Sequence, residues 1–402
     1  MATLQTSFLG IQFENPFLLA SAPPTSKVEG IDKAFEMGWG GAVLKTITPD
    51  DLIMNEASPR YQVQRHEGKI IGFQNIELLS HKSLKYWLDG IRFLKKKHPN
   101  KVVIASIMAP QEKEKWQALV HAINETPADA FELNFSCPHG MPEKKIGMAI
   151  GTSRESSKTI TAWVKEAAKK PVFVKLTPNV TDISRIALAV QEAGADGVTA
   201  INTAQGFMGV DLDSLEPRLN IDGLSTFGGL SGQIIKTLGF KCVAQIRQAS
   251  ALPILASGGI SDWSDAAQYI ALGADALQVC AEVMLNGYEI IGKMKDGLLN
   301  YLNSKSFDSI NDIKGAAVKK ITSHEALSKT CMVLPSIDKS KCVLCKRCVS
   351  RCSESESGAL SVLDGAIKVD KGLCFGCSLC SHVCPQGAIA MTNRLENARL
   401  MR

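Results

Sequence analysis

The chain has 402 residues, 45% hydrophobic and 21% charged, with a formal net charge of +5. That length accommodates one large domain and a small one, and the apolar content excludes a disordered chain. The mild charge argues against a nucleic-acid surface, and no 18-residue apolar run suggests a membrane span. The N-terminus, MATLQTSFLGIQ, has neither the basic nor the long apolar stretch of a signal peptide, so a cytoplasmic protein is expected.

In chain order, short apolar runs rich in β-branched residues recur: PFLLASAP (16–23), GGAVLKTIT (40–48), KVVIASIMA (101–109), AFELNFSCP (130–138), PVFVKLTPN (171–179), GVTAINT (197–203), PILASGGI (253–260) and ALQVCAEVM (276–284). Amphipathic stretches such as ITAWVKEAAKK (160–170) and ISRIALAVQEAG (183–194) lie between several of them. Near-continuous apolar strands alternating with helices indicate a parallel sheet covered by helices. Eight units over roughly 300 residues predict an α/β (β/α)8 TIM barrel, with a doubly wound open sheet as the alternative. The basic run LKKKHPNK (94–101) reads as a helix end followed by a turn. The pattern fades after about residue 303. The expected layout is a barrel over 1–305, a linker over 306–335 and a cysteine-rich module over 336–402.

Barrel chemistry gathers at the C-terminal ends of the strands. Ser21, Lys45, Asn134, Cys137, Lys175, Asn202, Thr203, Gly258 and Gly259 stand there in this reading. A lysine at that depth is costly unless it meets an anion, and a reduced flavin ring supplies one for Lys45 and Lys175. Gly258, Gly259 and the backbone at Cys280–Ala281, after the seventh and eighth strands, are candidates for a phosphate. GGLSG (228–232) is a second glycine-rich loop. No G-x-G-x-x-G stretch is present, so electrons are expected from another chain.

The strongest motif is a duplicated C-x2-C-x2-C-x3-C run, Cys342, Cys345, Cys348 and Cys352 followed by Cys374, Cys377, Cys380 and Cys384. This spacing holds two 4Fe–4S clusters in bacterial-type ferredoxins, the fourth cysteine of each run serving the other cluster. Cys342, Cys345, Cys348 and Cys384 are therefore expected on one cluster, and Cys374, Cys377, Cys380 and Cys352 on the other. Zinc prefers two spaced pairs per site, and disulfides do not predict duplicated spacing. Cys242 and Cys331 are read as structural.

Several stretches closely resemble the pyrimidine-reducing part of dihydropyrimidine dehydrogenases: NPFLLASAPPT, FQNIELLS, VVIASIM, ELNFSCPHGM, KLTPNVTDI, NTAQGFMG, FGGLSG, GGI and LQVC, followed by the paired cysteine runs. The likeness covers nearly the whole chain. In architecture it is similar to the FMN/iron–sulfur subunit of bacterial NAD-dependent members, which implies a partner subunit binding FAD and NAD(P)H and a hetero-oligomer. The resemblance implies reduction of the C5–C6 double bond of uracil and thymine. It implies Cys137, on a mobile loop, as the acid that protonates C5, and Asn75, Asn134, Asn202 and Thr203 as substrate contacts. Its FMN contacts would be Ala20, Ser21, Lys45, Lys175, Ser231, Gly232, Gly258, Gly259, Cys280 and Ala281.

The side chains agree with that implication. Asparagine offers donors and an acceptor without charge, which suits the alternating C=O and N–H edge of a neutral pyrimidine. A dihydroorotate-type carboxylate would call for a cation. A free thiol, with a pKa of about 8.5, is protonated at neutral pH and can donate. His139 either tunes that thiol or plays a structural part. Glu143, Lys144 and Lys145 depart from the smaller or differently charged residues expected in the family's lid. Two alternatives remain open: reduction of another unsaturated cyclic amide or a dihydroorotate-like substrate, and an electron-relay subunit without catalysis of its own.

Overall fold

The computed structural model describes residues 2–52, 56–136, 146–329, 331–355 and 357–396. The chain divides into two compact units, Met1–Lys320 and Ile321–Arg402.

Eight strands of the first unit, β1 (Phe17–Leu19), β2 (Gly41–Val43), β3 (Val102–Ile107), β4 (Ala130–Asn134), β5 (Val172–Lys175), β6 (Gly197–Ala200), β7 (Ile254–Ser257) and β8 (Ala276–Val279), close into a parallel barrel in sequence order. Each lies inside one of the eight apolar runs. Pairing of β8 with β1, Leu277 opposite Phe17, closes the ring and rules out the open sheet. Helices Arg154–Ala167 and Ile183–Glu192 occupy the two amphipathic stretches. The Asp182 carboxylate accepts from the backbone N–H of Ser184 and so starts the second of them. The basic run ends helix Leu84–Lys97, where Lys95 pairs with Asp129 at 3.0 Å and Lys97 with Asp32 at 2.8 Å.

Side chains two residues apart in a strand point the same way. One parity, including Leu18, Val43, Ile104, Ala130, Phe173, Leu255 and Ala276, packs inside the barrel with Phe8 and Phe13. The other, including Phe17, Leu19, Val103, Phe131, Leu133 and Val174, packs in the cluster that also holds the helix residues. Phe8 and Phe13 come from an antiparallel hairpin, Thr6–Phe8 with Ile11–Phe13. The Phe8 ring meets Phe173 edge-on at 5.2 Å. The hairpin thus forms the barrel floor.

One expectation is corrected. GGLSG is not a loop: Gly228–Gly232 is a strand, paired antiparallel with Lys69–Asn75 and with Ala204–Gly206. Lys69–Asn75 also pairs with Tyr61–His66, which completes a four-stranded sheet. The 306–335 stretch carries structure of its own at both ends. Ile310 and Ile313 are buried in the barrel unit's core, and Lys314 pairs with Asp275. Strand Cys331–Ile337 pairs antiparallel with Ile389–Glu396 in the second unit. Apolar anchors at each end of the stretch draw it into the two folds.

The second unit adds the pair Leu360–Leu363 and Ala366–Val369 and helices Arg347–Ser355 and Leu379–His382. Its small core holds Cys348, Leu360, Ile367, Cys380 and Ile389. Cys242 is buried in helix Lys236–Ala249, and burial pushes its thiol up to about 11. Cys331 opens its strand and is half-buried. Among the described residues no helix is long and apolar enough to cross a membrane.

Phe8 fills space that no neighbouring side chain can reclaim without moving the floor. Phe8→Ala should cost about 3–5 kcal/mol, read as a lower urea midpoint of the barrel transition. A midpoint unchanged from the parent would show that the hairpin does not support the barrel.

Candidate functional site

The parity that makes the floor also makes the site. Two residues beyond the apolar inward row, the side chains turn polar: Val43 is followed by Lys45, Ile104 by Ser106, Ala130 by Glu132 and then Asn134, Phe173 by Lys175, Leu255 by Ser257 and Ala276 by Gln278. These ends open on a cleft of about 1000 Å³, counting space continuous with solvent. Its walls include Ala20, Ser21, Lys45, Asn75, Asn134, Lys175, Asn202, Thr203, Ser231, Gly232, Gly258, Gly259, Cys280 and Ala281. Every substrate and flavin candidate read from the sequence is therefore brought to one place. Cys137, His139, Glu143, Lys144 and Lys145 lie outside the described residues.

Both cleft lysines already face protein carboxylates, which sequence reading missed. Lys45 Nζ lies 3.1 Å from Glu77 Oε1, and Tyr61 donates its hydroxyl to the other Glu77 oxygen. Burial, then the Glu77 contact, holds the Tyr61 hydroxyl well above its usual range. Deeper in the barrel, Lys175 Nζ donates to Gln278 Oε1 at 3.0 Å and lies 3.9 Å from Glu132 Oε1. Glu132 Oε2 accepts from Thr199 Oγ1 at 2.8 Å and from Gln278 Nε2, while Oε1 has no hydrogen-bond donor among the described residues. Inward parity was the available signal for Glu132 and Gln278. Glu77 arrives from beyond the Lys69–Asn75 strand and leaves no periodic trace.

The asparagines are held by neighbours that the motifs did not single out. Asn134 Nδ2 donates to Thr46 Oγ1 at 3.0 Å, and its Oδ1 accepts from the N–H and hydroxyl of Ser136. Asn202 Nδ2 donates to Ser136 Oγ at 2.7 Å, and its Oδ1 accepts from Thr203 N–H at 2.8 Å. Asn75 Nδ2 donates to Gly229 O at 2.9 Å. Among the described residues each amide keeps a second N–H without a partner, and the buried Thr203 hydroxyl has none. The wall therefore presents uncharged donors. Cys280 is half-buried beside them, and burial pushes its thiol up to about 11, so it stays neutral.

Gly258 and Gly259 have φ of +120° and +71°. A Cβ on Gly259 would stand 2.7 Å from Gly232 O and 2.8 Å from Lys236 Cβ, so only glycine permits this close approach. Tyr269 donates to Gly258 O at 2.6 Å and pins the turn. This glycine cradle, with its close backbone approach, fits the phosphate tail of a flavin.

In the second unit one cavity is lined by Cys342, Cys345, Cys348 and Cys384, and another by Cys352, Cys374, Cys377 and Cys380. The loops repeat in backbone as well as sequence. Leu344 and Lys346 have φ of +52° and +61°, and their counterparts Gly376 and Ser378 have +68° and +65°. Each loop thus curls so that its three closely spaced thiols line one cavity, with a fourth from the other run.

A flavin-type barrel oxidoreductase joined to a dicluster ferredoxin module is the class that this architecture defines. Residues 3–302 match the dihydroorotate dehydrogenase family model, and 335–391 match the 4Fe–4S dicluster domain. The chain is 37% identical over 397 residues to the NAD-dependent dihydropyrimidine dehydrogenase subunit PreA of Escherichia coli (strain K12), covering 96% of this chain and 95% of that one. It is 33% identical over 338 residues to the chloroplastic dihydropyrimidine dehydrogenase (NADP(+)) of Arabidopsis thaliana, covering 81% and 79%. It is 34% identical over 316 residues to the catalytic subunit of dihydroorotate dehydrogenase B (NAD(+)) of Pyrococcus abyssi, covering 79% and 99%. The chain belongs to the dihydropyrimidine dehydrogenase family, as a catalytic subunit with its own iron–sulfur domain. It is an oxidoreductase that carries FMN and 4Fe–4S clusters.

Glu132 and Lys175 compensate one another inside the barrel. Lys175→Met leaves a buried carboxylate uncompensated and should cost about 3–5 kcal/mol. Adding Glu132→Gln should recover most of the loss. Urea unfolding of flavin-free protein, followed by tryptophan fluorescence, measures both, and simple additivity of the two losses would refute the coupling.

Proposed function

We propose that this subunit reduces the C5–C6 double bond of uracil and thymine, giving dihydrouracil and dihydrothymine. The observation that carries the reading is the cleft wall itself. Asn75, Asn134, Asn202 and Thr203 offer neutral hydrogen-bonding groups beside the glycine cradle, while Lys45 and Lys175 each face a carboxylate. No cation without a facing carboxylate lines the cleft among the described residues, which favours a neutral cyclic amide over a carboxylate-bearing ring. The amides bind the ring's carbonyl oxygens through their remaining N–H groups and fix its orientation.

FMN would rest against Ala20, Ser21, Lys45, Lys175, Ser231, Gly232, Gly258, Gly259, Cys280 and Ala281, and when bound it supplies the hydride for ring carbon C6. Cys137 is the general acid that delivers a proton to C5. Its neighbour Ser136 is buried and tied to both Asn134 and Asn202, so the chain enters the Cys137 segment from a fixed point. A protonated thiol is the correct form for a donor at neutral pH. Cys342, Cys345, Cys348 and Cys384 would hold one 4Fe–4S cluster and Cys374, Cys377, Cys380 and Cys352 the other, and such clusters would carry electrons singly toward the flavin. A partner subunit binding FAD and NAD(P)H supplies them. Eight thiolate ligands require a reducing compartment, in keeping with the cytoplasm.

Anaerobically reduced protein should recover oxidised-flavin absorbance when uracil or thymine is added; failure with both bases would end the substrate assignment. Cys137→Ala should retain FMN and iron while turnover falls by about 10²–10⁴-fold. Turnover equal to the parent's would remove Cys137 from the mechanism.

A further inference from the structure

The two cysteine loops are the same scaffold with different surfaces. Aligning Cys342 with Cys374 sets Asp338 against Asp370 and Lys339 against Lys371. Closer to the thiols the chemistry diverges. Lys341, Lys346 and Arg347 in the first loop stand where the second has Leu373, Ser378 and Leu379. Lys339, Lys341, Lys346 and Arg347 are all exposed. Lys341 lies 3.6 Å from Asp338. Among the described residues no ion pair engages Lys339, Lys346 or Arg347, and Arg351 further along the helix is paired with Glu354. Between these cations Val343 and Leu344 lie exposed over the cavity lined by Cys342, Cys345, Cys348 and Cys384. The other rim keeps the exposed Lys371, but beside its thiols the exposed side chains are apolar, Leu373 and Phe375.

We propose that the basic rim around Val343 and Leu344 is the docking surface for the acidic face of a one-electron protein donor, which makes the cluster bounded by Cys342, Cys345, Cys348 and Cys384 the point where electrons enter. The inference rests on the reading that reducing equivalents arrive through the clusters. An apolar centre ringed by unneutralised cations is the pattern of a transient, electrostatically guided interface. Positive charge on the rim selects an acidic partner and speeds its encounter by about 10–10³-fold at low salt. The donor's iron centre loses one electron and the cluster gains one, and no proton or atom moves. Leu373 and Phe375 give the second rim no such selectivity.

The test uses the full-length protein loaded with both cofactors and, as probe, a reduced plant-type 2Fe–2S ferredoxin, a small acidic protein. Stopped-flow bleaching of the 4Fe–4S absorption gives the reduction rate across a salt series. Lys339→Glu with Arg347→Glu should slow reduction at low salt by at least about tenfold and remove its salt dependence. Reduction by dithionite and iron content should stay as in the parent. Lys371→Glu, at the position equivalent to Lys339 on the other rim, should remain within about twofold of the parent. Equal rates for parent and double variant, or equal slowing by Lys371→Glu, would overturn the proposal. The functional reading fails differently: the clusters bleach with the probe, but uracil and thymine do not reoxidise the flavin.

Discussion

A closed parallel barrel forces a single choice on each strand. Every second side chain points inward, and the inward row must be packed at one end and useful at the other. Here the change falls within one two-residue step on most strands, from Val43 to Lys45, Phe173 to Lys175 and Ala276 to Gln278. The floor residues, capped by Phe8 and Phe13, hold the strands at fixed distances, and the cleft inherits that rigidity. The two lysines then need counter-charges, because a buried ammonium without a partner is expensive. Glu132 supplies one from the same inward row, with Gln278 bridging it to Lys175. Glu77 supplies the other from outside the barrel. The sheet containing Tyr61–His66 and Lys69–Asn75 is therefore part of the charge balance of the site as well as its wall.

That division explains what could be read from sequence. The barrel strands are buried on both faces and so appear as apolar runs, and the polar residue at the end of each run marks the cleft. The 4Fe–4S dicluster module was legible from spacing alone, since no competing chemistry predicts the duplication. Glu132 and Gln278 were within reach, because they share parity with Asn134 and with Ala276, yet a lone acid inside ELN reads as an interruption. Glu77 and Tyr61 were not within reach. Tyr61–His66 is half-exposed and mixed in polarity, and its pairing depends on a register that no local signal specifies. Asn75 came from family likeness for the same reason. The anchoring of Ile310 and Ile313 in the barrel core was not legible either, because irregular chain leaves no periodic trace of a few apolar contacts.

In the proposed reading the charges of the site stand on the cofactor side and the substrate side is neutral. Thr46, Ser136 and the Thr203 backbone orient the Asn134 and Asn202 amides, leaving N–H donors outward. A buried amide rejects a ligand that leaves it unpaired more strongly than an apolar pocket rejects a misfit. Recognition by fixed neutral donors therefore selects carbonyl edges without drawing anions into competition for the lysines.

The two units reach stability by different means. The barrel buries a large apolar core and needs no ligand to close. The cluster unit has a core cluster of five buried residues, and two of them, Cys348 and Cys380, belong to the repeated cysteine runs. Such a core is too small to offset the entropy of ordering the chain by burial alone. Its strands pair, but its loops curl around thiols whose mutual approach is unfavourable once they are thiolates. Cluster coordination removes that repulsion and crosslinks the two runs, since Cys384 meets the first loop and Cys352 the second. On the proposed ligation, metal binding and folding would be linked in this unit. The exchanged fourth cysteine is the reason: neither loop can complete its cluster until both halves of the repeat have come together.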